Sequence, residues 1–316
     1  MSTLRLARFV FRIIRGLFRA SGIGKIRLGN SLLYVPIRKK LYQFIWKYSA
    51  RNPDKPLLVE GHNIWGIGQN RGGGNGMGLL MDSYEEDSTR LFKEFIQQGM
   101  AVIDIGAHVG YYTLLAARGV GSSGRVYAFE PERDNFRWLK KNIEMNGYTN
   151  VTTVPKAVTD ETGFIKLWLM DSSGGHSIYP EKDISHGAQE DNGSGQKKEL
   201  VETTTIDDFL EAEGWPSIGV IKIDAEGAEH QVFAGMQRLF KRQDNLKIIF
   251  EFNRLRFEEI GVNSFECLQS LQANNFTLHS IDRKKTNALS SDDILFLCSK
   301  SSINVNLLAS KGAYEN

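Results

Sequence analysis

From Met100 onward the chain alternates short apolar runs with amphipathic stretches. Strands are expected at 101–105, 125–129, 151–154, 164–169, 218–223 and 246–252, where β-branched and aromatic residues cluster between turn residues. The intervening stretches at about 110–118, 133–146, 207–213, 229–240 and 264–274 carry apolar residues at helical spacing. Before them, 88–98 shows the same period through Leu91, Phe92, Phe95 and Ile96, and Gly99 can cap that helix. The apolar runs 276–281 and 293–298 are expected to close the sheet as an antiparallel pair, and the tail after Ser299 reads as polar and loose. Strands alternating with crossover helices predict an α/β fold with a doubly wound, mostly parallel sheet covered on both faces.

The pattern upstream is different. Residues 3–20 predict a cationic amphipathic helix, because Arg5, Arg8, Arg12, Arg15 and Arg19 recur at spacings of 3, 4, 3 and 4. Phe9, Val10, Ile13, Ile14, Leu17 and Phe18 fill the remainder. Such a helix either lies at an anionic membrane interface or docks its apolar side on the domain. Residues 21–50 continue basic and apolar. A Pro-rich turn at 52–56, a short hairpin at 57–67 and a loop with seven glycines between Gly66 and Gly78 follow. The chain thus divides into a basic extension (1–52), a lead-in with the Gly-rich loop (53–99), the α/β domain (100–299) and a polar tail (300–316).

Charge sharpens this division. The net charge of +2 comes from 39 basic and 37 acidic side chains, but residues 1–53 hold twelve Lys or Arg and no Asp or Glu. The remainder has 27 basic against 37 acidic residues, so a +12 arm is joined to a −10 domain. That asymmetry points to an anionic partner for the arm. Two cysteines, Cys267 and Cys298, make a disulfide framework implausible and fit a reducing, cytoplasmic compartment, with peripheral association at an inner membrane face through residues 1–50. No uncharged apolar stretch reaches the roughly 18 residues of a membrane span.

The candidate chemistry sits where the first strand meets its helix. Asp104-Ile105-Gly106-Ala107-His108-Val109-Gly110 is a glycine-bearing strand-to-helix turn, and Glu130 ends the next strand twenty residues after Gly110. Glycine lets the backbone come close to a ligand, and an acid at the second strand's end can accept from two ribose hydroxyls. The spacing is Gly-x-x-x-Gly and lacks one glycine of the dinucleotide fingerprint. Asp104 before the first glycine suits a nucleoside carrying positive charge and no phosphates, which describes S-adenosylmethionine. A third acidic strand end follows in Asp224-Ala225-Glu226-Gly227-Ala228-Glu229. Asp224 is a candidate for a ligand ammonium or an acceptor hydroxyl, and Glu226 a candidate general base raised by neighbouring charge. Glu226 and Glu229 equally suit the start of a helix, where acids oppose the positive dipole end. Lys222 is expected to pair with one of these acids. His108 and Glu251 are further base candidates, although His108 could also face outward. His176 and His186 have no metal-site spacing, and His230 reads as a helix-surface residue; no metal is expected.

With these residues in view the chain resembles the FkbM-type methyltransferases over roughly residues 80–285. The resemblance rests on Val102 to Thr113, on Ala128-Phe129-Glu130-Pro131, on Asn142 to Asn146, on Thr203 to Asp207, on Ile221 to Glu229 and on Ile249-Phe250-Glu251. It implies a class I methyltransferase fold with seven strands, the last antiparallel, and methyl transfer from S-adenosylmethionine to an acceptor oxygen, often on a sugar. It further implies that Asp104, Gly106, Ala107 and Gly110 line the methionine and ribose part. Glu130 and Pro131 would lie at the ribose hydroxyls, Ala157 and Val158 beside the adenine, and Tyr84 and Glu85 over the cofactor. Asp224 would face the methionine moiety or the acceptor.

The leading expectation is therefore an O-methyltransferase acting on a glycan, glycolipid or related small molecule. A nucleic-acid methyltransferase gripping phosphates with the arm is a second reading, which the acidic domain opposes. A non-catalytic scaffold that keeps the cofactor fold and tethers itself through the arm is a third.

Overall fold

A computed structural model describes residues 56–66, 84–170, 173–180, 197–281, 286–300 and 303–312. The basic arm, most of the glycine-rich loop, His186 and most of residues 171–198, whose richness in Gly, Ser, His and charge predicts an irregular insertion near the site, lie outside the described residues. The chain forms two compact units, Met1–Glu86 and Asp87–Asn316.

In the first unit, β1 (Leu57–Val59) and β2 (His62–Ile64) pair as an antiparallel hairpin, as the sequence led one to expect. Glu60 and Gly61 both have positive φ (50° and 84°), the backbone of a tight two-residue turn whose twist matches the strands.

The second unit is built on an eight-stranded sheet. Its parallel middle contains β3 (Ala101–Ile105), β4 (Arg125–Phe129), β5 (Val151–Val154), β9 (Ile218–Ile223) and β10 (Leu246–Asn253). The spatial order β10-β9-β3-β4-β5 reverses direction at β3. The chain first winds outward from β3 through β4 to β5, then returns to β9 on the other side. The crevice beyond the carboxyl ends of β3 and β9 is the topological switch point, where such sheets bind ligands. All five residues of β3 are buried, and their apolar run without alternation reflects cover on both faces. Ile103 and Ile105 join the main core with Tyr127, Phe129, Ile221, Ile223 and Phe250. On the opposite face α2 (Tyr111–Val120) packs against β3 and β4. The main core also takes in Phe233, Phe252 and Phe257, each at most 1% exposed and each stabilising by about 1.5–3 kcal/mol.

The predicted strands and helices through Ile223 fall close to where the structure has them, including α1 (Glu86–Phe95) and α3 (Arg133–Met145). Two elements there have no counterpart in the prediction, β6 (Ala157–Val158) and β8 (Lys198–Thr204), which with β7 (Gly163–Trp168) form a separate three-stranded sheet.

Three corrections concern the rest. The helix expected at 229–240 is two helices, α5 (Glu229–Ala234) and α6 (Gln237–Arg242). Gly235 lies so close to Thr159 that a Cβ would sit 2.2 Å from its carbonyl oxygen. Asp207, at the start of α4 (Ile206–Ala212), accepts the N–H groups of Arg238 and Leu239 at 2.7 and 2.8 Å and so caps the new helix. The run 293–298 is not a strand but part of α9 (Ser291–Ser299), held by a capping box in which Ser290 and Asp293 satisfy each other's backbone. The closing antiparallel strand is instead β13 (Asn304–Lys311), within the segment read as a loose tail. It runs between β10 and β11 (Thr277–Ile281), pairing Leu246 with Lys311 through Asn253 with Asn304. A short edge strand, β12 (Thr286–Ala288), extends the expected seven strands to eight. α7 (Arg254–Glu259) and α8 (Ser264–Ala273) complete the unit.

Candidate active site at the strand tips

Asp104, next to last in β3, stands beside Ala128 of β4 and Lys222 of β9. It is 2% exposed, and its Oδ2 accepts from the Thr113 hydroxyl of α2 at 2.5 Å. Burial pushes its pKa up to about 6 in spite of that bond and the nearby Lys222 charge.

The turn after β3 takes its shape from three positive φ angles: Gly106 at 75°, His108 at 51° and Gly110 at 96°. At Gly106 glycine is obligatory, because a Cβ would lie 1.9 Å from the Asp224 carbonyl oxygen. The left-handed conformation of His108 accompanies a backbone N–H that donates to Glu130 Oε2 at 2.8 Å. The other Glu130 oxygen accepts from the Glu132 N–H at 2.9 Å. Glu130 is 5% exposed, and burial raises its pKa to about 7 against the pull of both N–H groups. One carboxylate thus joins the glycine turn to the end of β4. Glu132 is buried as the cap of α3, accepting from Asp134 and Asn135.

Beyond β9 the acidic loop folds back on itself through positive φ at Glu226 (49°) and Gly227 (101°). Glu229 points inward and closes this loop by accepting from the N–H groups of Ala225 and Gly227 at 3.1 and 3.4 Å. It is a structural residue, and burial pushes its pKa up to about 7. Lys222 Nζ lies 3.7 Å from Asp224 Oδ2, so the expected pairing is present. The carboxylates of Asp224, Glu226 and Glu251 converge, with one oxygen of each within 4.8 Å of the others, a spacing also open to a hard cation. Burial, followed by the charges of Asp224 and Glu251, holds Glu226 protonated well above the ordinary carboxylate range. His108 is shifted the other way, down to about 4 by burial, and its Nε2 is engaged by Ser173 Oγ at 2.7 Å. That makes it the weaker base candidate.

Residues 173–180 form a strap across these elements. The Ser173 carbonyl accepts from Asn135 Nδ2 at 2.9 Å. Ser177 exchanges backbone bonds with Trp168 and donates its hydroxyl to the Glu226 carbonyl at 2.8 Å. Arg256 of α7 holds the far end, donating to Tyr179 O at 2.8 Å and Ser177 Oγ at 3.2 Å. Tyr179 in turn meets His230 Nε2 at 3.2 Å, so His230 is half-buried and not a free surface residue. The composition of 171–198 placed an irregular insertion near the site, and the strap is part of it; Arg256 was not legible, because nothing in sequence spacing links position 256 to position 177. Thr113 and Glu132 were closer to legible, standing three residues after Gly110 and two after Glu130.

The remaining expected site residues fall as follows. Ala107 is buried within the turn, its N–H donating to Phe129 O at 2.9 Å, and Pro131 lies half-buried after Glu130. Ala157 and Val158 are both buried in β6. Tyr84 and Glu85 immediately precede α1 in the first unit, half-buried.

Residues 104–278 match the Methyltransferase FkbM domain, more than half of the chain. The chain belongs to the FkbM methyltransferase family. Its cofactor is S-adenosylmethionine. Two nearly buried acids at the glycine turn, Asp104 and Glu130, fit the cationic charge of that cofactor and would repel a pyrophosphate. The hexuronic acid methyltransferase AglP of Haloferax volcanii is 26% identical over 152 residues, covering 48% of this chain and 56% of that protein. A protein-L-isoaspartate O-methyltransferase of Methanococcoides burtonii is 36% identical over 59 residues, 19% of this chain and 29% of that one. This FkbM chain spans about half the length of the first relative and less of the second. Among solved structures, a putative O-methyltransferase from Klebsiella pneumoniae is 12% identical with a TM-score of 0.40, covering 86% of this chain and 90% of that chain.

Proposed function

We propose that this FkbM-family protein is an S-adenosylmethionine-dependent O-methyltransferase acting on a hydroxyl of a glycan, glycolipid or related small molecule. The observation that carries the reading is the acid pair at the switch point, Glu130 tied to the His108 N–H beside buried Asp104. Glu130 would hold the ribose hydroxyls, and Asp104 with the backbone from Gly106 to Gly110 the methionine end. Pro131, Ala157 and Val158 would lie along the nucleoside.

When bound, the cofactor supplies a methyl group already activated for displacement by its sulfonium charge. The protein's share is then alignment and proton management. Asp224, Glu226 and Glu251 line one strand-end cluster where an acceptor hydroxyl can be oriented. As its oxygen gains the methyl, the hydroxyl's proton passes to a carboxylate of this cluster, for which Glu226 is the leading candidate. The strap fastened by Arg256 supports the walls of this cluster and limits water. Similarity to a hexuronic acid methyltransferase supports a sugar acceptor. The basic arm supports an anionic setting, and a membrane-borne glycolipid satisfies both features.

Incubating the full chain with methyl-labelled S-adenosylmethionine and a panel of uronic-acid glycans, neutral glycans and nucleic acids tests the reading. Label in a base-stable ether on a glycan is expected. Label in nucleic acid, or cofactor binding without transfer to any acceptor class, favours the alternative readings of the chain.

A further inference from the structure

The outer face of the β7–β8 hairpin breaks the usual rule for a solvated sheet. Alternation along the strands puts Phe164, Lys166 and Trp168 of β7 on one face with Lys198, Leu200 and Glu202 of β8. The other face carries Ile165, Leu167 and Val201, which with Ala157 make a small core of their own. An antiparallel sheet with one face so covered is expected to be polar on the other. Phe164 and Leu200 are instead 70% and 71% exposed. Register puts Phe164 opposite Glu202 and Leu200 opposite Lys166. The two apolar side chains are therefore diagonal neighbours, roughly 7 Å apart, and form one patch.

Charge identifies what this patch suits. Lys198 Nζ sits 5.0 Å over the Trp168 ring, and exposed Lys166 stands beside Leu200. Glu202 is the acid on this face, and Lys156 neutralises it at 2.9 Å. A second copy of the chain set against this face by two-fold symmetry would bring lysines onto lysines. An anionic bilayer surface matches both properties. The lysine stems lie along apolar surface while their ammonium groups reach phosphates, and aromatic rings favour the interface. Residues 1–53 of the same chain carry the same combination of apolar and exclusively basic residues.

We propose that the Phe164–Leu200 face of the β7–β8 hairpin docks on an anionic lipid surface. The site is distinct from the strand-tip cluster and independent of which acceptor the enzyme uses. The test is co-sedimentation of the full chain with vesicles of phosphatidylcholine alone and of phosphatidylcholine with phosphatidylglycerol. Partition onto the anionic vesicles is expected to fall about ten-fold or more in Phe164→Glu/Leu200→Glu, from the loss of two inserted apolar side chains. Both side chains are already in solvent, so the thermal melt should be unchanged. If that variant melts early, Lys166→Glu/Lys198→Glu is the substitute and must show the same loss. Parent-like partition by a folded variant overturns the proposal, because the arm alone would then account for binding. A lipid-free parent dimer that the variant converts to monomer in sedimentation velocity also overturns it and assigns the face to a second copy.

Discussion

The Glu130 carboxylate accepts the backbone N–H of His108 at 2.8 Å, across the gap between the turn after β3 and the tip of β4. A single side chain thereby holds His108 in its left-handed conformation and places a nearly buried acid at the switch point. Replacing Glu130 by Ala is expected to weaken S-adenosylmethionine binding by about 1–3 kcal/mol through lost charge-assisted hydrogen bonds. Isothermal calorimetry reads this directly. Parent-like affinity in a folded variant removes Glu130 from the ribose seat.

The same burial makes stability depend on pH. Asp104, Glu130 and Glu229 have pKa values raised to about 6, 7 and 7, so each holds its proton more tightly folded than unfolded. Their contribution is fully present below the unfolded values near 4 and is lost as pH rises through 6 and 7. A shift of this size corresponds to roughly 3 kcal/mol for one group. Buried His108, held down to about 4, works the opposite way until pH passes its unfolded value near 6.5, so the melting temperature of the ligand-free protein should fall between pH 6.5 and 7.5 and level off above. The increment given by S-adenosylmethionine should grow over the same range, since a cationic ligand favours the ionised acids. A ligand-free melting temperature that rises with pH across this window contradicts the assignment.

Gly106→Ala is expected to be severely destabilising, by more than about 3 kcal/mol. The new Cβ would meet the Asp224 carbonyl at 1.9 Å in a backbone already at φ 75°. Gly147→Ala is the control: φ is 74° there but no atom lies within 4 Å, so about 1 kcal/mol from backbone strain is expected. Denaturant midpoints compare the two, and equal losses would mean that close packing at Gly106 is not the constraint.

Glu226→Gln should lower kcat by about 100-fold or more while leaving cofactor affinity within a few-fold, the pattern of a lost proton acceptor. Asp224→Asn should disturb binding as well, since it also carries the Lys222 contact. Activity is expected to survive chelator; loss with EDTA that Mg²⁺ restores would give the three carboxylates to a cation instead.

Arg256→Ala cuts the bonds to Tyr179 and Ser177. The strap should then open to protease between 173 and 180, and KM for the acceptor should rise more than that for the cofactor. Unchanged proteolysis would show that Trp168 and Ser173 hold the strap without it.

Hydrophobic period and turn chemistry were enough to place β3, β4, β5, β9 and β10 and the acids at their tips, because both depend on neighbours in the chain. The Glu60-Gly61 hairpin is legible for the same reason. Ser290 with Asp293 is likewise a local signal, a capping box that makes 293–298 helical. What no local pattern contains is burial by a distant partner. β13 has only Leu307-Leu308-Ala309 as an apolar run, and its polar end is buried because His279 Nε2 meets Ser310 Oγ at 2.8 Å and Lys311 Nζ donates to Phe240 O at 2.6 Å. Position 256 over position 177, and three carboxylates drawn within 4.8 Å, likewise exist only once the strands are in register. The residue types at the strand tips were fixed along the chain; their distances, and hence their proton affinities, were set by packing.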